Sequence, residues 1–167
     1  MSYTYRLATE EDAAGIVRIV NVAYRVEDFF KIGDRTDERE VRATIRDHSF
    51  ILAMDKSGAL AGCVEVHADG ERGYFGMLSV EPKRQKTGLG AGLIGEAERF
   101  AIEHGCLVMD LTYVNVREEL PAFYERFGYR TTGTSPWERD EPTRFPVHFV
   151  NMSKELAPRA AAEMRSG

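Results

Sequence analysis

Apolar residues follow a short strand pattern and then helical spacing up to residue 48, and the spacing becomes strand-like from Ser49. The segment "YTYRLA", from Tyr3, predicts a short first strand. A helix follows from the capping residue Thr9, with acids in its first turn, to about Tyr24. Its apolar face is formed by Ile16, Ile19, Val20 and Ala23. A second capping signal at Thr36 predicts another helix that runs toward His48.

From Ser49 the apolar residues fall in three strand-like segments, "FILAM", "LAGCVEVHA" and "YFGMLSV". Turns that contain Gly and Asp separate these segments, which predicts an antiparallel meander. A helix follows with Leu89, Leu93 and Ala97 on one face, and Gly105 is suited to end it in a left-handed conformation. The remaining pattern predicts a strand in "CLVMDLTYV", a short helix in "REELPAFYERFG" and strands in "YRTTGTSPW" and "FPVHFVNM".

Length and composition fit one globular domain with its own core. The chain has 167 residues, of which 43% are hydrophobic and 29% are charged, and a domain of this size needs no disulfides or metals to stabilise it. We predict a single domain over residues 1–156. Residues 157–167, "APRAAAEMRSG", are expected to form a frayed C-terminal tail.

Charge and cysteine usage exclude several classes of partner. The net charge of -5 argues against nucleic acid, which usually requires a basic surface. Cys63 and Cys106 lie inside apolar runs, so we expect neither a disulfide framework nor a cysteine-based zinc site, and no metal. The sequence begins with no signal-like segment and has no apolar stretch long enough to cross a bilayer. We therefore expect a cytoplasmic protein without a membrane partner.

The segment "QKTGLGAGLI", residues 85–94, joins a predicted strand to a predicted helix and contains Gly88, Gly90 and Gly92. Such a turn binds anions because the first helical N–H groups lack partners and lie at the positive end of the helix dipole. The nucleoside-triphosphate loop needs Gly-Lys-Ser/Thr and the dinucleotide fingerprint needs Gly-x-Gly-x-x-Gly, and neither fits. Ordinary turn chemistry is the alternative interpretation of these glycines.

Two motifs resemble one family. Gln85-x-x-Gly88-x-Gly90, directly after a strand that ends in "LSVEP", resembles the GNAT superfamily of acetyl-CoA-dependent N-acetyltransferases. The segment "PAFYERFGYR" resembles the late helix of that family, in which a tyrosine lies near the coenzyme sulfur. The resemblance extends from about Tyr3 to Leu156. It implies an α/β (α+β) fold, with a mixed, mostly antiparallel central sheet of about six to seven strands flanked by four helices.

The resemblance also implies how the cosubstrate, acetyl-CoA, is held. In this family the loop and helix start bind the pyrophosphate, and the preceding strand offers backbone groups to the pantetheine arm. The expected coenzyme contacts are Leu78, Ser79, Val80, Gln85, Lys86, Thr87, Gly88, Leu89, Gly90, Ala91 and Asn115. Asn115 departs from the family pattern, because members often carry asparagine seven residues before the tyrosine, where this chain has Arg117.

Side chains near both motifs suggest further roles. Tyr124 occupies the position of the family's tyrosine, so we expect its hydroxyl to donate to the thiolate of departing coenzyme A. Lys83, Arg84 and Lys86 form a basic cluster at the loop. Charge-assisted contacts with the coenzyme phosphates are the functional interpretation of this cluster, and a solvated surface is the alternative, preferred for Lys83.

Acetyl transfer to an amine requires a base, because an alkylamine with a pKa of about 10.4 is protonated at pH 7. Alternation along "AGCVEVHAD" places Cys63, Glu65 and His67 on one strand face. Glu65 is the first candidate for the catalytic base, followed by His67 and Glu81. The alternative interpretation of Glu65 and His67 is an exposed polar face of an antiparallel strand.

These features predict an acetyl-CoA-dependent N-acetyltransferase that acts by direct attack of a primary amine of a small molecule or peptide. The alternative is a non-catalytic acyl-CoA-binding regulatory module on the same fold. The segments "FFKIGDRTD" and "SPWERDEPTRFPVHF" are expected to wall the acceptor side, with candidate pocket residues Phe29, Phe30, Trp137 and Arg139. The resemblance also allows a homodimer, since dimers are common in the family.

Overall fold

The computed structural model of the protein describes residues 2–156, so the predicted tail lies outside the described residues. The strands are β1 (Thr4–Leu7), β2 (Ser49–Met54), β3 (Leu60–Asp69), β4 (Arg72–Val80), β5 (Val108–Val114), β6 (Arg130–Pro136) and β7 (His148–Glu155). The α-helices are α1 (Ala13–Ala23), α2 (Glu38–Asp47), α3 (Leu89–Glu103) and α4 (Leu120–Glu125). None of these helices has the length and apolar character that a membrane crossing needs.

The seven described strands form one mixed sheet in the order β1-β2-β3-β4-β5-β7-β6. Strands β2, β3 and β4 pair antiparallel in sequence order, which confirms the predicted meander. Among the described strands only β4 and β5 pair in parallel, and α3 connects them. The predicted fold class, a mostly antiparallel sheet with four flanking helices, is confirmed.

The sheet separates two hydrophobic cores. Alternation along β3 decides which residues enter each core: Cys63 packs on the side of α1 and α2, and Val64 and Val66 pack on the opposite side, with α3. Both faces of β3 are therefore covered, and its residues from Ala61 to Val66 are buried. Both cysteines are buried and unpaired.

Helix boundaries differ from the predictions where capping decides them. The acids after Thr9 form a short 3-10 turn, and α1 begins only at Ala13. Asp37, and not Thr36, caps α2, because its carboxylate accepts from the N–H of Glu40 at 2.8 Å. Thr36 is buried, and its hydroxyl bonds to the Glu40 side chain.

Candidate active site

Strands β4 and β5 separate after the first three residues of β4. Their parallel ladder ends at the pair of Tyr74 and Asp110. Just beyond this pair, a register shift between β3 and β4 marks a β-bulge, where Met77 adopts a positive φ of 47°. The side of β4 that faced β5 is therefore open around Leu78 and Val80. Backbone groups at such an opening are suited to bind an extended ligand.

The glycine loop directs backbone N–H groups to the mouth of this opening. Lys86 and Gly88 both have left-handed backbones, with φ values of 66° and 85°. The first hydrogen bond of α3 runs from Gly92 N to Gly88 O, so the N–H groups of residues 89–91 have no partner within the helix. Left-handed residues in such a turn direct successive N–H groups toward one side, which forms a concave site for an anion. The observed backbone is therefore suited to a phosphate.

A groove of about 690 Å³ lies between the loop, the open part of β4 and α4. Its volume is that of a small-molecule or cofactor cleft. The predicted site residues that line it are Leu78, Val80, Gln85, Lys86, Gly88, Gly90, Ala91 and Tyr124. Phe123 and Phe127 contribute apolar wall. The groove therefore has a polar, glycine-rich end at the start of α3 and an apolar end at α4.

Four of the predicted coenzyme residues do not line this groove, and three of them are Ser79, Thr87 and Leu89. The Ser79 side chain is buried, and its hydroxyl donates to a backbone carbonyl of its own strand. The Thr87 hydroxyl donates to the carbonyl of Arg84, within the loop. Leu89 lies in the core beneath the sheet. Their side chains thus fix the local backbone.

Asn115 does not line the groove either. Its amide oxygen accepts from His148 N at 2.9 Å, so its side chain holds the end of β5 against β7. Arg117, two residues later, lines the groove, together with Tyr24 and Arg126, which the sequence reasoning missed. The family's asparagine position pointed to Arg117, whereas no local pattern singled out Tyr24 or Arg126.

The basic cluster at the loop divides into different environments. Arg84 pairs with Asp55 at 2.5 Å, an ion pair between the loop and the β2–β3 turn. Lys83 is exposed and lies outside the groove. Lys86 lines the groove, so of the three it is the cation best placed to meet a bound phosphate. Arg84 instead fixes the base of the loop.

A second cavity, of about 700 Å³, lies on the α2 side of the sheet, and Glu65 and His67 both line it. His67 Nε2 lies 3.1 Å from Glu65 Oε2, which confirms that the two side chains share one face of β3. The Tyr74 hydroxyl approaches the same place. A methyl group on Gly76 would lie 2.8 Å from that hydroxyl and 3.0 Å from Glu65 Oε1, so glycine leaves the room they occupy.

The burial of Glu65 bears on its role. Glu65 is only 8% exposed, so the interpretation as a freely solvated strand face does not describe it. His67 is half-buried. Glu81, the remaining candidate base, lies outside this cavity and pairs with Arg18 at 3.4 Å. Glu65 and His67 are therefore the two predicted bases that the structure brings together.

A narrow cavity of about 40 Å³ lies between the groove and the second cavity. With the groove it shares Tyr24, Leu78, Arg117, Leu120 and Tyr124. With the second cavity it shares Arg35, Tyr74, Met77 and Arg139. The groove and the second cavity therefore approach each other through the sheet at the point where β4 and β5 separate.

Tyr124 lines both the groove and the narrow cavity. Its ring packs edge-on against Phe75 and Phe123, with centroids 6.0 and 5.1 Å apart. Burial raises the pKa of Tyr124 well above its ordinary value, and burial also raises the pKa of neighbouring Tyr24 to about 12. Both hydroxyls are therefore protonated at neutral pH and able to donate hydrogen bonds.

Comparison with known families agrees with this geometry. The model of the acetyltransferase (GNAT) domain matches residues 9–156, which includes the loop, the groove and both cavities. The chain belongs to the GNAT acetyltransferase family. In this GNAT chain the open part of β4 and the glycine loop both line the groove.

The chain resembles one curated GNAT sequence and the folds of several solved acetyltransferase structures. Acetyltransferase YE1169 of Yersinia enterocolitica is 30% identical over 88 residues, which is 53% of this chain and 62% of that relative. The Escherichia coli ribosomal-protein-S18-alanine N-acetyltransferase superimposes with a TM-score of 0.74 at 14% identity, over 93% of this chain and 94% of that one. A phosphinothricin acetyltransferase from Sinorhizobium meliloti, in complex with AcCoA, superimposes with a TM-score of 0.71 at 17% identity. The superposition covers 96% of this chain and 92% of that one.

Proposed function

We propose that the protein is an N-acetyltransferase that transfers the acetyl group of acetyl-CoA to a primary amine of a small molecule or peptide. One observation carries the proposal. The groove that begins at the anion site of α3 ends at Tyr124, beside a narrow cavity that leads toward Glu65. A thioester held in the groove would thus meet an amine held in the second cavity.

Acetyl-CoA binds in the groove in this proposal. The N–H groups of residues 89–91 and the Lys86 side chain face the diphosphate, where the helix dipole and a cation both favour negative charge. The open backbone around Leu78 and Val80 pairs with the amides of the pantetheine arm. The apolar end of the groove receives the thioester, and an N–H of β4 stabilises the negative charge that forms on the carbonyl oxygen.

Glu65 acts as the general base. A protonated alkylamine with a pKa of about 10.4 carries a penalty of roughly 4.6 kcal/mol at pH 7 before it can attack, at about 1.36 kcal/mol per pKa unit. Glu65 accepts the amine proton directly or through a water molecule, and His67 Nε2 lies 3.1 Å from its carboxylate. The nitrogen lone pair then forms the N–C bond to the acetyl carbon.

Collapse of the tetrahedral intermediate breaks the C–S bond and leaves the thiolate of coenzyme A. The Tyr124 hydroxyl donates a hydrogen bond to that sulfur as its charge develops. Reference pKa values of about 10 for tyrosine and about 8.5 for a thiol already make full proton transfer uphill by roughly 2 kcal/mol. Because burial raises the pKa of Tyr124 further, stabilisation by the hydrogen bond is its main contribution.

The second candidate function is that of a non-catalytic acyl-CoA-binding module. Such a module would bind acyl-CoA in the same groove but would not transfer the acyl group. A panel of amines with acetyl-CoA, followed by release of free thiol, separates the two. Transfer to an amine supports the enzyme, and each product is verified by mass spectrometry as the N-acetyl compound. Tight binding of acetyl-CoA without thiol release for any amine supports the module.

A further inference from the structure

Two arginines lie on the wall of the acceptor side. Arg35, in the loop before α2, and Arg139, between β6 and β7, each line both the narrow cavity and the second cavity. Arg35 is only 9% exposed. Burial, and then the positive charge of Arg35, lowers the pKa of Arg139. Two guanidinium groups thus line the same two cavities.

Neighbouring carboxylates leave some hydrogen-bond donors of these two arginines without a partner among residues 2–156. Arg35 Nη1 lies 3.6 Å from Glu40 Oε1, longer than a hydrogen bond, and its buried Nε has no partner within residues 2–156. Arg139 forms no ion pair with the described part of the chain. Its guanidinium instead lies 5.2 Å from the ring centres of both Trp137 and Phe149. Leaving a buried donor unpaired costs about 1–3 kcal/mol, so an anionic ligand would relieve a cost that the fold already carries.

The rim of the same cavity has the opposite charge. Its carboxyl residues are Asp34, Asp37, Glu40, Glu138, Asp140 and Glu141, most of which are exposed. Exposed carboxylates attract a cation by long-range steering without holding it in one geometry. The guanidinium groups of buried Arg35 and half-buried Arg139 are planar forks suited to a carboxylate or another oxyanion. Rim and wall together therefore favour a ligand that carries both an ammonium group and an anionic group.

We propose that the acceptor is an amine that also carries an oxyanion, such as an amino acid, and that Arg35 and Arg139 bind this oxyanion. The amine then lies toward Tyr124 and Glu65, where the narrow cavity opens. This inference rests on the proposed acetyl transfer and names its substrate class. A carboxylate and a phosphonate share the required chemistry, so the test includes both.

The test measures binding and turnover separately. The protein amino acids, their amides, their decarboxylated amines and the matching aminophosphonates are titrated by calorimetry into the protein saturated with coenzyme A. The same compounds are assayed with acetyl-CoA by thiol release. We expect binding of at least one amino acid or aminophosphonate, at least 10-fold tighter than its amide and its decarboxylated amine, and acetylation in the same order. The affinities of the amino acids and of the aminophosphonates are compared to decide which oxyanion the protein prefers.

Variants assign the effect to the two arginines. Arg139→Gln and Arg35→Gln should each weaken binding of the anionic form by about 10-fold to 100-fold and leave the amide form unchanged, as expected for a lost charged hydrogen bond. Arg139→Lys keeps the charge without the fork and should give an intermediate loss. Arg130→Gln, an exposed change at the start of β6, is the matched control. Circular dichroism verifies that each variant is folded.

Three results would overturn the inference. The first is that no anionic form binds; the second is that neutral or polycationic amines bind best; the third is that the arginine variants weaken all forms equally. Failure of the proposed function looks different, because it is an absence of thiol release from every amine while the anionic ligand still binds through Arg139.

Discussion

Arg117 donates a hydrogen bond to Glu27 across 2.8 Å, at the point where the groove meets the narrow cavity. The two side chains are 14% and 5% exposed. Glu27 lies just after α1 and Arg117 just before α4, so the pair ties together elements from opposite faces of the sheet. The other carboxylate oxygen of Glu27 is buried without a partner among residues 2–156. Removal of either side chain would therefore leave a buried charge without its partner.

We predict that Arg117→Met lowers the free energy of unfolding by about 3 kcal/mol, because it leaves the Glu27 carboxylate buried and uncompensated. Urea denaturation measures the loss. The double variant Glu27→Gln and Arg117→Met should recover most of it, since no isolated charge remains. Glu119→Gln removes the exposed partner of Arg117 and should cost less than about 1 kcal/mol. Equal losses in Arg117→Met and Glu119→Gln would show that burial of the pair is unimportant.

Tyr124→Phe should lower kcat for acetyl transfer by about 100-fold and leave the affinity for acetyl-CoA unchanged, because the hydroxyl acts on the leaving sulfur and not on the bound ground state. Steady-state kinetics with calorimetry separates the two quantities. An unchanged kcat would remove Tyr124 from the mechanism.

Tyr129→Phe is the matched control for that variant. Tyr129 packs against the same Phe75, at 5.7 Å, but lines neither the groove nor the two cavities. Its hydroxyl donates to Glu98 at 2.8 Å. The control should therefore lose stability, by about 1–2 kcal/mol, and keep its kcat.

Glu65→Gln should lower kcat/KM for acetyl transfer by about 100-fold or more, because the amide cannot accept the proton of the amine. Glu81→Gln is the comparison, since Glu81 lies outside the second cavity. The Glu81 variant should keep the kcat/KM of the wild type. If the Glu65 variant keeps it as well, another group is the base.

Asp55 should make stability depend on pH in the acid range. Its pKa is held well below its usual value by hydrogen bonds from Ser57 and the Ala59 N–H and by Arg84. A carboxyl group with a depressed folded pKa stabilises the fold above its unfolded pKa of 3.8, and that contribution is lost as pH falls toward the folded value. Asp55→Asn should therefore be less stable than the wild type at pH 7, and the difference should shrink below pH 4. A difference that stays constant from pH 7 to pH 2 would contradict this account.

Elements and motifs were accessible from the sequence because they depend on local pattern. The meander, α3 and the loop at Gly88 follow from periodicity and from the conformations that glycine permits. Asn115 and Arg117 show where such reasoning stops. Which of them reaches the groove depends on how β5 ends against β7, where the backbone N–H of His148 donates to the Asn115 side chain. No local pattern contains that register.

Ion pairs between segments that are distant in the sequence could not be predicted from the sequence either. Arg84 looked like a phosphate ligand because it lies in the loop, yet Asp55, 29 residues earlier, pairs with it. Arg35 and Arg139 are 104 positions apart in the sequence. They line the same cavities only because the loops that carry them fold over one face of the sheet. The arginines of the second cavity could therefore be identified only from the structure. Most residues of the groove could be identified from the sequence motifs.

The central claim is that the mouth of α3 binds the diphosphate of acetyl-CoA, and calorimetric titration of acetyl-CoA tests it most directly when Gly90→Glu is compared with Gly95→Glu. Both glycines lie in α3, and a Cβ atom added at either position would meet no atom from outside the helix closer than 3.9 Å. Only Gly90 lines the groove. We predict one binding site in the wild type and in Gly95→Glu, and affinity at least about 100-fold weaker in Gly90→Glu, because a carboxylate would face the phosphates. Equal affinities in the two variants, or no binding by the wild type, would contradict the account.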